Sequence, residues 1–260
     1  QLYQTDLVPP FSNQVANGGT TAYNNVYISE TDKTIYAFDG GNISIYGGAM
    51  KFAETLTSWG LTDTDYVNIL GNDGVQWIDL RTLDPQSETI SIGNKTIKGV
   101  DLNLGGGIDH VNYLQLHANL RVDLGAGDDW INIQDQQSKH SPGTTISTLT
   151  MEKLDGGEGE DTLSLYHHLN LDGVNQLQEG EEFILNSTLG AINFENLTGS
   201  QHAETLRGDS GDNKLAGHKG ADTIYGGSGN DFVIADYIRT GSEGYPYEEM
   251  LYVAGDWEDD

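Results

Sequence analysis

The stretch from Gly199 to Ile234 reads GSQHAETLR, GDSGDNKLA, GHKGADTIY, GGSGNDFVI, which is four consecutive units of nine residues. Each unit begins with a glycine, carries an oxygen-bearing side chain at its sixth position and an apolar side chain at its eighth. The sixth positions are Glu204, Asn213, Asp222 and Asp231, and the eighth positions are Leu206, Leu215, Ile224 and Val233. This period predicts six residues of turn and then three of strand, with the middle strand residue pointing inward.

Two such units predict one turn of a flattened right-handed coil. Oxygen donors from alternate units then lie on the same edge, so we expect Glu204 over Asp222 and Asn213 over Asp231. Each stacked pair of turns offers backbone carbonyls and carboxylates in about the number, six to eight oxygens, that calcium takes.

These units resemble the repeats-in-toxin (RTX) family, whose nonapeptide is G-G-x-G-x-D-x-U-x with U apolar. The unit from Gly226 to Ile234 matches that pattern fully, while Glu204 and Asn213 replace Asp, and His202 and His218 replace glycines. The resemblance implies a parallel β-roll with calcium held between successive turns. It also implies that sixth-position side chains bind each ion together with turn carbonyls, here those of Gly208 and Ser210 facing Gly227 and Gly229.

The same pattern recurs upstream at irregular intervals, in LGGGIDHVN (104–112), LGAGDDWIN (124–132) and GGEGEDTLS (156–164). Asp109, Asp129 and Asp161 are the candidate metal ligands of these turns, and a looser copy spans 70–79. Alternating segments at 100–104 and 121–124 predict strands between the turns, and 38–48 suggests a hairpin or another short coil.

We therefore expect an all-β fold, a parallel β-roll or β-solenoid-like structure with irregular insertions, stabilised by calcium. Three regions are predicted. Residues 1–198 form an irregular β region with degenerate calcium turns and a candidate ligand-binding surface, 199–234 form the RTX repeats, and 235–260 form an acidic cap or linker.

The composition agrees with a metal-stapled, extracellular protein. The chain of 260 residues has a net charge of −28, no cysteine and only 36% hydrophobic residues, so cations have to offset self-repulsion in the folded state. The same charge disfavours nucleic acid and anionic membranes as partners, and no apolar run is long enough for a membrane helix.

We expect a domain that is largely unfolded at cytosolic calcium and folds outside the cell, secreted or on a bacterial surface. The RTX resemblance implies type I secretion, and the start at Gln1 suggests a monomeric piece of a longer chain.

No catalytic constellation stands out, so we expect no enzyme. The motifs HExxH and GxSxG are absent, and the twelve basic residues are scattered rather than clustered for an acidic polymer. His167 and His168 are adjacent and would point to opposite faces of a strand. The Asp84–Pro85 bond fits a turn better than a self-cleaving site.

A candidate ligand-binding surface comes from the residue that precedes the inward apolar position. In the upstream copies this residue is Trp77, His110 or Trp130, and in-register stacking would align the three rings as a ladder on one face. The alternative is that residues 1–66 cover these rings as a secondary core. Trp59, Tyr66 and Tyr113 could join the cluster in either case.

The favoured function is calcium-dependent binding of a peptide or glycan, on another cell or surface, by a domain of a secreted bacterial adhesin. A calcium-stiffened spacer or folding module of an RTX protein is the main alternative. An accessory or catalytic module of a polysaccharide-active enzyme is a further one.

Overall fold

The computed structural model describes residues 14–15, 21–46, 50–81, 89–92, 94–115, 117–134, 149–165, 180–200, 203–218, 220–234 and 252–253. The Asp84–Pro85 bond, His167, His168, His202 and all of 235–260 except 252–253 lie outside these residues. Within them the protein is built from strands with a single helix, which confirms the predicted all-β class. The helix is far too short to cross a membrane, and no other candidate span occurs in this part of the chain.

Twenty-one strands and one helix follow one another along the described parts of the chain. They are β1 Gln14–Val15, β2 Thr21–Ser29, β3 Thr34–Tyr46, α1 Met50–Ser58, β4 Tyr66–Leu70, β5 Gln76–Arg81, β6 Ile90–Ile92, β7 Lys95–Ile97, β8 Gly99–Asn103, β9 His110–Gln115, β10 Leu120–Asp123, β11 Trp130–Gln134, β12 Thr150–Asp155, β13 Thr162–Ser164, β14 Glu182–Ile184, β15 Leu189–Ile192, β16 Asn196–Thr198, β17 Thr205–Arg207, β18 Lys214–Ala216, β19 Thr223–Tyr225, β20 Phe232–Ile234 and β21 Tyr252–Val253.

The nine-residue units fold as the period predicts. Each contributes a strand of three residues, and its middle side chain is buried in Leu206, Leu215 and Ile224. Strands of alternate units pair in parallel, with Leu206 opposite Ile224 and Leu215 opposite Val233. Consecutive units therefore belong to two different sheets.

The same alternation extends upstream and produces two series of parallel strands. The first series is β4, β8, β10, β12 and β15, and the second is β5, β9, β11, β13, β16, β18 and β20. Short turns at 71–75, 104–109, 124–129 and 156–161 lead from the first series to the second. The longer segments 82–98 and 135–149 return from the second series to the first. All the large insertions in this region thus leave from one edge, and the other edge keeps short turns.

Strand β3 joins the two series into one fifteen-stranded sheet. Its residues 34–36 pair with β4 and its residues 41–46 pair with β5, and β2 runs antiparallel to both parts. Gly40, at a φ of 70°, bends the strand between the two parts. The expected hairpin does not form within 38–46, because this glycine redirects the strand without reversing it. The alternative, a short coil, agrees with the pairing of the two parts of β3 with the two series, and residues 47–48 lie outside the described residues.

Helix α1 was not expected from a sequence with few helix-forming residues. Phe52, Ala53 and Leu56 are buried, with Trp59 buried just beyond the helix, and α1 packs against the hairpin of β6 and β7. The apolar spacing is that of an amphipathic helix.

The large sheet continues across the predicted boundary at residue 198, since β16 pairs with both β13 and β18.

Stacked glycine turns explain why the short edge tolerates few side chains. Gly107, Gly127 and Gly159 have φ values of 122°, 139° and 146°, and a Cβ on Gly127 would overlap the carbonyl oxygen of Gly107. We expect Gly127→Ala to lower the free energy of unfolding by about 3 kcal/mol or more, measured by denaturant titration in saturating calcium. Gly60→Ala is the matched control, since its φ of 69° faces open space and should cost only about 1 kcal/mol. Equal losses in the two variants would contradict this close packing.

Candidate functional site

A column of polar side chains runs along the short-turn edge. Its members lie either at the first position of a strand of the second series or immediately before it, and we call them the edge column. They are Gln76, Asp109, Asp129, Asp161, Glu195, Asn213 and Asp231.

Hydrogen bonds between backbone and side chain connect the column from one strand to the next. The N–H of Gln76 donates to Oδ1 of Asp109 (2.6 Å), the N–H of Asp109 to Oδ1 of Asp129 (2.7 Å), and the N–H of Asp129 to Oδ1 of Asp161 (2.8 Å). The N–H of Asp161 then donates to Oε2 of Glu195 (2.8 Å). In the repeats, the N–H of Asn213 donates to Oδ1 of Asp231 (3.0 Å). The upstream turns and the nine-residue repeats therefore share one arrangement.

Three carboxylates of the edge column are buried, and in each of them one of the two oxygens accepts no hydrogen bond within the described residues. Asp109 and Asp161 are fully buried and Asp129 is 2% exposed, and within the described residues Oδ2 of each has no hydrogen-bond partner. Burial raises the pKa of Asp109 to about 8, that of Asp129 to about 6 and that of Asp161 to about 7. Buried carboxylates that stay charged need a compensating cation.

The turns place the column side chains over their own first residue. Oδ2 of Asp161 lies against the Cα of Gly156, as Oδ1 of Asn213 does against Gly208 and Oδ2 of Asp231 against Gly226. A Cβ at any of these glycines would contact the oxygen. The glycine at the first position thus makes room for the oxygen at the sixth.

The opposite edge of the repeats carries the second predicted pair. The N–H of Glu204 donates to Oδ1 of Asp222 (3.1 Å), and the hydroxyl of Ser200 donates to Oε2 of Glu204 (2.9 Å). Burial raises the pKa of Glu204 to about 8. The expected neighbours are therefore adjacent in both pairs, Glu204 with Asp222 and Asn213 with Asp231.

The candidate carbonyl ligands lie in two turns that stack on each other, 208–213 and 226–231. Gly227 and Gly229 have left-handed φ values of 101° and 110° and lie against the carbonyl oxygens of Asp209 and Gly211 respectively. Ser210 is exposed beside them. Gly208 is next to Gly226, so the turns stack residue for residue. The expected facing of Gly208 with Gly227 and of Ser210 with Gly229 is therefore wrong by one residue. Their role as ligands stays a prediction.

His218 replaces a glycine in the third repeat and keeps the glycine conformation, with a φ of 80°. A left-handed residue other than glycine costs about 1 to 2 kcal/mol. This departure from the repeat pattern therefore carries a local conformational cost.

Residues 198–233 match the family model of the RTX calcium-binding nonapeptide repeat, in four copies. No curated protein and no solved structure matches the chain. The match confirms the four repeats as calcium-binding units of a kind typical of secreted proteins. The number of ions stays a prediction.

The donor set fits calcium. The edge column supplies carboxylate and amide oxygens only, and the stacked turns add backbone carbonyls, which are the ligands that calcium prefers. No group of three His, Cys, Asp or Glu side chains converges on one point among the described residues. Carbonyl oxygens must therefore complete each shell, and Asn213 with Asp231 or Glu204 with Asp222 would supply the side-chain oxygens in the repeats.

The three predicted rings stand in one row on the outer face of the second series. Trp77 is opposite His110, and His110 is opposite Trp130. The Trp77 and His110 rings are stacked, with centroids 4.1 Å apart and planes 12° apart. Trp77 is 39% exposed and Trp130 is 40% exposed. The described residues of 1–66 therefore do not cover these two tryptophans, and the rest of that region lies outside the described residues.

Two of the other aromatic residues do not join this row. Tyr66 lies in β4 of the first series, beneath the guanidinium of Arg121 at 4.0 Å. Trp59 is buried next to α1. The side chain of Tyr113 lies outside those that the structure describes.

Sequence reasoning missed Glu195, which links the upstream column to the repeats. The signal was present, because GAINFENLT at 190–198 has a glycine at its first position, Glu195 at its sixth and Leu197 at its eighth. It is one more nine-residue unit in the same phase. The missing glycines at its second and fourth positions hid it.

Proposed function

We propose that this protein is a calcium-dependent ligand-binding module of a secreted bacterial adhesin, and that it binds a peptide or glycan through the Trp77–His110–Trp130 row. The observation that supports this most is the exposure of two tryptophans in register on one face. A large aromatic side chain gains free energy when it leaves water, and these two remain in contact with it. Exposed aromatic groups of this kind are typical of recognition surfaces.

The proposal includes the winding of the chain. We infer that the two strand series form opposite walls of a parallel β-roll, with calcium between successive turns of its short edge. The parallel pairing of alternate units supports this winding. The large insertions would then lie on one edge, away from the calcium turns.

The opposite wall, formed by the first series, offers a ligand fewer groups to contact. On the first series, Arg121 pairs with Glu152 (2.6 Å) and with Asp101 (3.4 Å), and Lys153 pairs with Asp123 (2.5 Å). These charges already satisfy one another. The ring row differs because its members are apolar or neutral. Burial also lowers the pKa of His110, which favours the neutral form of its ring.

Calcium dependence would follow from the position of the rings along the chain. His110 and Trp130 each follow a carboxylate of the edge column directly, and the N–H of Trp130 donates to the carbonyl of Asp109 (2.9 Å). The backbone that presents a ring is therefore the backbone that presents a carboxylate. If the turns are disordered without a cation, the row is lost with them.

Arrays of glycans and peptides, probed with and without calcium, test the proposed function. We expect binding that requires calcium and disappears in EGTA. A folded, calcium-loaded protein that binds nothing on either array would favour the stiffened spacer. We propose that the protein has no catalytic activity. Turnover of a polysaccharide would contradict this and favour the module of a polysaccharide-active enzyme.

Trp130→Ala should weaken binding of an array hit by about tenfold or more, because truncating a central aromatic contact costs on the order of 2 kcal/mol. The midpoint of thermal unfolding should change little, since surface substitutions are usually within about 0.5 kcal/mol. Phe232→Ala is the matched control, because Phe232 lies in the last strand of the same series and is 60% exposed. A large loss of stability in Trp130→Ala would show a packing role instead.

A further inference from the structure

The ring row is the middle of a longer line of side chains that crosses the second strand series. Asn42 of β3 is opposite Trp77, Trp130 is opposite Thr162, and Thr162 is opposite Asn196. Asn42 is exposed, Thr162 and Asn196 are half-buried, and the residue that follows each of them is buried. We call this line the outer row, and its members are Asn42, Trp77, His110, Trp130, Thr162 and Asn196. Because neighbouring strands lie about 4.8 Å apart, the outer row is about 24 Å long and runs at right angles to the strands.

The outer row has aromatic rings in its middle and amide or hydroxyl groups at both ends. Tryptophan rings offer apolar surface to the C–H groups of a ligand, while amides and hydroxyls both donate and accept hydrogen bonds. Thr162 is too short to cover the indole of Trp130, which is 40% exposed. A sugar presents the same two kinds of surface, with C–H groups on its ring faces and hydroxyls around its ring edge. The composition of the outer row therefore suits a carbohydrate.

A β-bulge lies in the strand that presents the central ring. Val111 of β9 is opposite Ile131 of β11 and Leu114 is opposite Ile133, so β9 holds one residue more than its neighbour between these pairs. The pairing of β9 with β5 shifts at the same place. Bulges are common beside binding sites, where they redirect a side chain. This bulge includes Asn112, which is half-buried and adds one more amide near the rings.

The backbone beneath the outer row offers nothing to a peptide. Each of β3, β5, β9, β11, β13 and β16 already pairs with a strand on both sides. Extended peptides bind sheets by adding to a free edge, and these strands have none among the described residues. A peptide lying across them would find no partner for its backbone amides, and each amide left unpaired away from water costs about 1 to 3 kcal/mol. A glycan avoids this cost, because its hydroxyls rotate toward water or toward the protein.

The charges around the outer row disfavour an acidic ligand. None of its six side chains is a carboxylate or a permanent cation. Asp128 and Glu160 are exposed, two residues before Trp130 and Thr162 respectively. The next position along the line is Lys214, and its ammonium already pairs with Glu160. Since the whole chain also carries a net charge of −28, a polyanion would be repelled.

We propose that the outer row binds a linear, neutral, extended glycan whose chain runs across the strands, with about one sugar over each strand. A sugar unit of an extended chain is about as long as the spacing between strands, about 4.8 Å. The sheet thus repeats its contacts at the interval at which such a polymer repeats its own. This inference rests on the proposed function, because it names the class of ligand for the same aromatic site.

Isothermal titration calorimetry of the calcium-loaded protein tests the length of the site. The probes are β-1,4-linked oligosaccharides of glucose, of mannose and of N-acetylglucosamine, each with two and with six units. In at least one series we expect the hexamer to bind about tenfold more tightly than the dimer, or about 1.4 kcal/mol for the added sugars. Equal affinities of dimer and hexamer in every series would overturn the proposed extended site.

Two further results separate this inference from the proposed function. Oligomers of β-1,4-linked mannuronate have the mannose backbone with a carboxylate on every unit, and should bind about tenfold or more weakly than the best neutral hexamer. Tighter binding of mannuronate would overturn the neutral ligand. Binding of array peptides but of no oligosaccharide would overturn the inference and leave the proposed function standing. No binding of either would overturn both.

Variants at the end of the outer row show whether the chain reaches it. Asn196→Ala should weaken binding of the hexamer by about threefold to tenfold, because one hydrogen-bonding group is lost, and leave the dimer unchanged. Trp130→Ala should weaken both by about tenfold or more. Phe232→Ala, which lies beyond Lys214, is the control and should change neither. An equal loss for dimer and hexamer in Asn196→Ala, or no loss for the hexamer, would contradict the proposed path, and Asn42→Ala repeats the test if Asn196→Ala does not fold.

Discussion

Removing calcium with EGTA at neutral pH is expected to abolish the cooperative thermal transition or lower its midpoint by about 15 °C or more. Each site that forms only in the folded state stabilises the protein by about 2.7 kcal/mol when free calcium is a hundred times the dissociation constant. The stabilisation from several such sites is therefore comparable to the whole stability of an ordinary domain, which is about 5 to 15 kcal/mol. Circular dichroism, recorded during heating with and without calcium, measures the effect.

Two controls separate binding from screening. Magnesium should not restore the transition, because it demands a smaller and more regular shell than these turns offer. Sodium chloride at matched ionic strength should recover only the part of the stability that comes from net charge repulsion. The same melting curve in EGTA and in calcium would refute the idea that calcium holds this fold together.

The calcium-free protein should become less stable as the pH rises, which is the reverse of ordinary acid denaturation. Burial raises the pKa of Asp109 and Glu204 to about 8, of Asp161 to about 7 and of Asp129 to about 6. Between the ordinary carboxyl pKa, about 4, and these raised values, the folded state binds protons that the unfolded chain releases. The stabilisation of the folded state by these bound protons is therefore complete below about pH 4, and it is lost as the pH rises to about 8. From pH 5 to pH 8 in EGTA, we expect the midpoint of unfolding to fall by roughly 10 °C or more.

Calcium should remove this dependence, because it neutralises the same oxygens that protons neutralise at low pH. Asp109→Asn offers the control, since it deletes one of the two largest contributions and should flatten the profile in EGTA. Melting temperatures that rise from pH 5 to pH 8 without calcium would show that these carboxylates are already compensated in some other way.

The repeats could be predicted from the sequence because each of their positions has one physical role. A nine-residue phase sets the strand, the inward residue and the turn glycine at once, and Leu206, Leu215 and Ile224 are buried as that phase requires. The pairs Asn213 with Asp231 and Glu204 with Asp222 follow from the same spacing. The register of Trp77, His110 and Trp130 followed from the looser upstream copies by the same reasoning.

The rest depended on contacts that a periodic pattern does not contain. Glu195 entered the column through a unit with one glycine in place of three, so its place became clear only from the N–H of Asp161 that it accepts. The bend of β3 at Gly40 depends on two different neighbours, β4 and β5. Helix α1 depends on the hairpin of β6 and β7 against which it packs. The exposure of the rings depends on what covers them, which spacing cannot show.

The way β3 bends at Gly40 has a consequence for how copies of this protein meet. Exposed strand edges are templates on which other chains can add, and filaments require two such edges at opposite ends of a molecule. Here β3 borders both strand series, and β2 occupies its outer side along both parts. The end strands of the large sheet, β15 and β20, both come from the C-terminal half of the chain. Within the described residues, β2 and β3 therefore cover the N-terminal end of both strand series, so another chain cannot add to β4 or β5 by edge pairing.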